Sequence, residues 1–220
     1  IIFLSIITIL VYLLIMKTPT SRLGSGFLIN TGVHVFTYYD LIKEAKTIKV
    51  MFPNEDDIKA KVIYKDIINN YSILILNRMP VIKLKPFIFS NNDLHQEGET
   101  VYTIGYPWTN TMEDKHTLLN GKTSLNSKNN LIDINLEITP VNSGGPLLNS
   151  RNELVGMVLF KNTKNTLLKE SHIKSFIPLS ILINGIKALK TPALSYTKAN
   201  NYTKMSQTIP KNNVVLIEAF

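Results

Sequence analysis

Cysteine is absent from this 220-residue chain. Its absence excludes disulfides, thiolate metal sites and a cysteine nucleophile. Arginine is nearly absent too: Arg22, Arg78 and Arg151 are the only ones, so lysine supplies almost all of a net charge of +8. Nucleic-acid readers cluster their basic residues and use arginine for bidentate contacts. Here the lysines are scattered among Ile and Asn, and nucleic acid is not expected as a partner. Histidine is sparse, with only His34, His95, His116 and His172. No two of them share ligand spacing with a carboxylate, so no metal and no cofactor is expected. Apolar residues make up 45% and charged residues 18%, which describes a globular chain able to bury a core as one large domain or two small ones.

The longest apolar run is at the start. Residues 1–16 carry no charge and are almost entirely Ile, Leu, Val and Phe, until Lys17 and Pro19 stop the run. A helix of that length is slightly short of the roughly 20 residues that span a bilayer. The sequence begins at Ile1 rather than at methionine, so further residues are expected upstream. The run reads as a signal peptide or a transmembrane anchor, with a buried core helix as the alternative. No small-x-small cleavage site follows it, which favours an uncleaved anchor and an exported body. Residues 17–23 are expected to form a short linker.

Beyond the linker the pattern is β. Short apolar or alternating runs at 26–30, 33–37, 47–52, 58–64 and 72–76 are separated by turn residues such as Thr31-Gly32 and Asn69-Asn70. Further runs lie at 100–104, 121–125, 131–137, 146–148 and 154–160. This spacing predicts an all-β sandwich or a pair of barrels. Residues 40–46 are expected to form one or two helical turns. Residues 178–189 read as a closing helix with Ile181, Leu182, Ile186 and Leu189 on its apolar side, and proline suits its first turn. From 191 to 220 the composition turns to Thr, Asn, Ser, Lys and Tyr, with one apolar run, Val214-Val215-Leu216-Ile217. This tail is either a linker or a strand that adds to the body.

The segment Asn142-Ser143-Gly144-Gly145-Pro146-Leu147 places a hydroxyl on a tight turn before an apolar run. Its glycines permit φ values closed to other residues and close backbone approach. That suits a nucleophile whose neighbouring N–H groups face a developing oxyanion. It equally suits an ordinary strand-joining turn.

In order along the chain, Gly24-Ser25-Gly26-Phe27-Leu28-Ile29, Val35-Phe36-Thr37, Tyr102 to Pro107, Asn142 to Leu148 with Glu153-Leu154-Val155-Gly156, and Phe176-Ile177-Pro178-Leu179 resemble blocks of the trypsin-like serine proteases of the bacterial HtrA/Deg group. The resemblance covers roughly residues 22–190 and implies a double six-stranded β-barrel over 24–190 with a C-terminal helix. It also implies a periplasmic or other extracytoplasmic location. The family's chemistry needs a serine that attacks, a histidine that takes its proton and an aspartate that orients the imidazole. Carried over, the nucleophile position is Ser143. The histidine position holds Asp40, within Thr37-Tyr38-Tyr39-Asp40-Leu41-Ile42, and the aspartate position holds Asn70. The oxyanion position covers Val141, Asn142 and Ser143, with valine where the family has glycine. Val158, Leu159 and Phe160 are the implied substrate-pocket residues.

These departures remove most of the machinery. A carboxylate, ordinarily titrating near about 3.9, is a poor base for a serine hydroxyl at neutral pH. Asparagine for the orienting aspartate costs serine proteases about 10⁴ even with histidine in place. A β-branched valine does not readily take the backbone conformation of an oxyanion glycine. Among the histidines, His34 is expected to face solvent, opposite Val33 and Val35. His95 and His172 fall in polar loops, and His116 is the one to test as a substitute base. The expected function is a membrane-anchored pseudoprotease that binds peptides or unfolded protein segments in the cleft between the barrels. The alternatives are a serine endopeptidase with a non-standard base and a decaying copy without a role.

Overall fold

The apolar runs become strands that close on themselves. A computed structural model of the chain describes residues 21–29, 32–91, 97–106, 116–128, 131–163, 171–190, 196–199 and 209–220. In the first half, β1 (Arg22–Leu28), β2 (His34–Tyr38), β3 (Ile48–Met51), β4 (Ile58–Asp66) and β5 (Tyr71–Leu76) follow in order, with a single helical turn, α1 (Tyr39–Ile42), after β2. Two short strands lie outside this pattern, β6 (Ile88–Phe89) and, much later, β13 (Thr197–Lys198). The second half comprises β7 (Thr100–Gly105), β8 (Thr117–Lys128), β9 (Leu131–Asn135), β10 (Pro146–Asn149), β11 (Leu154–Thr163) and β12 (Ser171–Pro178). Helix α2 (Leu179–Ala188) closes that half, burying Leu179, Leu182 and Ile186.

The last strand, β14 (Val214–Ala219), belongs to the first half. It pairs antiparallel with β1 from Arg22↔Ala219 to Phe27↔Val214, and with β3 from Ile48↔Ala219 to Met51↔Leu216. The first barrel therefore closes in the order β1-β14-β3-β4-β5-β2. Of the two alternatives for residues 191–220, the apolar run at 214–217 takes the second. Its unbroken apolar character has a physical reason: both faces are covered. Val215, Ile217 and Ala219 enter the interior of the first barrel, Val214 joins the cluster between the barrels, and Leu216 packs with Tyr106 and Val141. The second barrel runs β10-β7-β8-β9-β12-β11 and closes through β10–β11. Two closed six-stranded barrels thus stand side by side.

The expectation for His34 is corrected. It is 5% exposed. Its neighbour of the same parity, Phe36, packs in the cluster between the barrels with Phe27, Phe87 and Phe89. The face that alternation assigned to solvent is covered by the rest of the molecule, and at Phe36 what covers it is the packing between the barrels. Burial lowers the His34 pKa below its ordinary 6.5. With the folded pKa depressed, the stability that neutral His34 contributes is complete above the ordinary value and is lost as pH falls through it. His34→Gln is expected to reduce the fall in melting temperature between about pH 7.5 and 5. Equal falls in the two proteins would refute this.

Among the described residues, no helix is long and apolar enough to cross a membrane. Residues 1–16 and His95 lie outside the described residues, as does the side chain of His172.

Candidate functional site

The turn bearing Ser143 sits between the barrels and is bolted to the first one. Pro140–Asn142 form a single 3-10 turn, with Thr139 and Asn142 capping each other: Thr139 N–H and its hydroxyl both donate to Asn142 Oδ1, at 2.8 and 2.9 Å. Ser25 N–H donates to Ser143 O at 2.9 Å, and Ser25 Oγ donates to Val141 O at 2.7 Å. Thr37 Oγ1 donates in turn to Ser25 O. Gly144, with φ of +87°, passes so close to Ser25 O and Tyr38 N that no side chain fits there. On the other side Gly144 N–H donates to Val158 O, and Val158 N–H to Gly145 O, both at 2.9 Å.

The Ser143 hydroxyl continues that ladder by one rung. It accepts from Phe160 N–H at 2.9 Å and lies 3.5 Å from Phe160 O. Ser143 is 1% exposed. Its Oγ thus meets an amide donor, which withdraws electron density from it, rather than a base that would take its proton. Its backbone N–H is also engaged, donating to Pro140 O at 3.1 Å, while Asn142 N–H donates to Thr139 O. Two of the amides at the oxyanion position therefore point into their own 3-10 turn. The Val141 side chain is buried against Tyr106 and Leu216.

Asp40 and Asn70 form a pair of their own. Asn70 Nδ2 donates to Asp40 Oδ2 and Asp40 N–H donates to Asn70 Oδ1, each at 3.0 Å. Asn70 has φ of +57°, a conformation that asparagine tolerates better than most residues. Tyr39 N–H donates to Asn70 O, which closes the arrangement. The other carboxylate oxygen, Asp40 Oδ1, meets Lys43 Nζ at 3.2 Å, and Arg22 donates to the Asp40 carbonyl. None of these bonds reaches Ser143. The fold brings the two replacement residues together and ties them to each other and to cations, not to the nucleophile position.

Substitute bases fare no better among the described residues. His116 Nε2 lies 3.0 Å from Val214 O, so that nitrogen carries a proton and donates, and the ring rests 4.6 Å from that of Tyr106. His34 lies at the opposite end of β2 from Asp40. The Tyr38 phenol is pushed up to about 12, chiefly by burial, with Arg22 opposing and Asp40 adding to the rise. It stays protonated at any ordinary pH. Of the three pocket residues, Val158 is fully buried in the core of the second barrel and Leu159 in the cluster between the barrels. Only Phe160 keeps partial exposure. Sequence reasoning missed the carbonyl of Pro140 and the amide of Phe160. The one signal was Pro140 itself, a residue suited to the first position of a short helical turn.

A family model for the trypsin-like peptidase domain matches residues 24–157. This chain belongs to that family. The match spans the first barrel up to β5 and the second barrel through the Ser143 turn into β11. The trypsin-like domain has relatives described as probable periplasmic serine endoproteases, DegP-like. The one from Pseudomonas fluorescens is 33% identical over 150 residues, covering 64% of this chain and 30% of that protein. The one from Pseudomonas savastanoi pv. phaseolicola is 30% identical over the same length, covering 64% and 29%. The chain thus spans about three-tenths of the length of these curated relatives. A crystal structure of the serine endoprotease from Yersinia pestis superposes with a TM-score of 0.59 at 22% identity, covering 76% of this chain and 57% of that one. At that identity the likeness concerns the fold. Together they bear out the resemblance of the trypsin-like domain to the HtrA/Deg group.

Proposed function

We propose that this trypsin-like domain is an exported, membrane-anchored, HtrA/Deg-like pseudoprotease that holds extended peptide or unfolded protein segments without cleaving them. One observation carries the reading: the Ser143 hydroxyl and the Ser143 amide are both committed to backbone partners, Phe160 and Pro140. A serine in this state meets no activating base among the described residues, and its own N–H is turned away from a developing oxyanion. The Asp40–Asn70 pair strengthens the case, since its donors and acceptors are satisfied locally. Binding requires none of this machinery. A peptide can add as a strand at the cleft between two barrels through main-chain hydrogen bonds, with side-chain pockets giving selectivity. The uncharged run at 1–16 and the periplasmic description of the relatives favour the exported, anchored placement.

The test is a fluorophosphonate probe, which reacts with activated serines. No labelling above that of Ser143→Ala is expected, under conditions where the protein unfolds in one cooperative transition. Covalent labelling at Ser143 that disappears in Ser143→Ala would overturn the reading in favour of a hydrolase with a non-standard base.

A further inference from the structure

The turn between β4 and β5 presents two large apolar side chains to solvent. Ile67 is 60% and Ile68 is 92% exposed. This presentation is fixed. Asp66 accepts from Asn69 N–H at 2.9 Å and from Asn69 Nδ2 at 2.7 Å, and Asn70 is held by Asp40. The turn therefore cannot fold its isoleucines inward without breaking its own cap. Lower on the same strand, a register shift between Val62 and Tyr64 leaves Val62 and Ile63 partly exposed as well. Lys61 and Lys65 stand exposed beside them.

The strand registers place this turn on a particular rim of the first barrel. Tyr71 pairs with Tyr38 and with Asp66, and Arg22 pairs with Ala219, which pairs with Ile48. The start of β1 and the 67–70 turn thus share one rim, joined through Arg22 to the Asp40 carbonyl and from Asp40 to Asn70. In sequence, the uncharged run at 1–16 leads into β1, whose start lies on this rim. Five residues, 17–21, separate Met16 from Arg22, a reach of at most about 20 Å over six residue steps.

We infer that this rim lies on the membrane surface, with Ile67 and Ile68 inserted at the level of the lipid headgroups. The inference rests on the proposed membrane anchor, which would hold the rim within reach of the bilayer. Paired isoleucines on a rigid tip gain from leaving water there, and Lys61 and Lys65 can keep their charges at the interface while their stems lie along apolar surface. Of the acidic groups on the rim, Asp40 and Asp66 have their carboxylates occupied by local donors and Glu44 is exposed beside Arg22. The consequence is an orientation in which the Asp40–Asn70 end of the barrel faces the bilayer.

Because the chain lacks cysteine, single labels can be placed without background. Full-length protein carrying Ile68→Cys, Asp56→Cys or Leu10→Cys, each labelled with an environment-sensitive fluorophore, is mixed with phosphatidylglycerol–phosphatidylcholine vesicles. Asp56 sits in the turn before β4, on the opposite rim. Expected are a blue shift and a severalfold loss of acrylamide quenching at positions 68 and 10, and neither at position 56. A protected position 10 with a fully quenchable position 68 keeps the anchor and overturns the docking. Full quenching at both positions overturns both. Protection of position 68 without vesicles overturns the docking in favour of an apolar segment, the run at 1–16 or a second copy, covering the tip.

Discussion

Removal of residues 214–219 is expected to abolish cooperative folding of the first barrel. Val214, Val215 and Ile217 are fully buried and Leu216 nearly so. At about 1.5–3 kcal/mol for each buried aliphatic side chain, these four contribute roughly 6–12 kcal/mol before any hydrogen bond is counted. Whole domains are stable by only about 5–15 kcal/mol. Deletion also leaves β1 and β3 with unpaired edges facing each other across an open barrel, and such edges promote aggregation. A milder version is Ile217→Asp, which places an uncompensated carboxylate among Leu28, Val35, Val50 and Leu74. Thermal unfolding followed by circular dichroism reads the outcome. A deletion variant that melts as one sharp transition within a few degrees of the parent would refute the assignment of this strand to the barrel.

Gly144→Ala is the second change with a large effect, expected to destabilise by about 3–5 kcal/mol. Two terms add. A residue other than glycine at φ of +87° is strained by about 1–2 kcal/mol. The new Cβ also meets the Ser25 carbonyl oxygen, with Thr37 Oγ1 at 2.9 Å. These atoms cannot yield readily, because Ser25 is held by Ser143 O through its N–H and by Thr37 through its carbonyl. Gly98 provides the control. It has φ of +80°, but nothing lies within 4 Å of the position a Cβ would take. Gly98→Ala should therefore show the backbone term alone. Equal destabilisation of the two variants in urea denaturation would show that the contact between the barrels at Gly144 carries no weight.

Much of this architecture is readable from residue order, because turns and nucleophile blocks have local signatures. The Gly24-Ser25-Gly26 opening, the runs at 58–64 and 72–76, and the closing helix are all found near their expected bounds. So is the Ser143 turn, whose two glycines are required by a left-handed φ at Gly144 and tight approaches around it. What was not readable is long-range. A lone apolar run such as 214–217 does not specify its partners, so its place between β1 and β3 had no local trace. His34 followed the alternation rule correctly, but the rule presumes one wet face, and on β2 both faces are buried. The state of Ser143 was hidden for another reason. Its partners, the carbonyl of Pro140 and the amide of Phe160, are backbone groups, and backbone groups are the same in every sequence. Conversely, the pairing of Asp40 with Asn70 was visible only as two substitutions; their reciprocal hydrogen bonds depend on β2 and β5 being neighbours.

The pairing of Arg22 with Ala219 also sets an order of events in folding. Contacts between residues so far apart in sequence carry a high loop-closure cost and form late. The second barrel closes with strands consecutive in sequence, β7 to β12; β14 adds no strand to it, only the packing of Val214 and Leu216 against its side. The first barrel, although most of its strands are made early, lacks one wall until the last strand arrives. The order expected from this topology runs against the direction of synthesis: the second barrel can close first, and the first closes only when β14 pairs with β1 and β3.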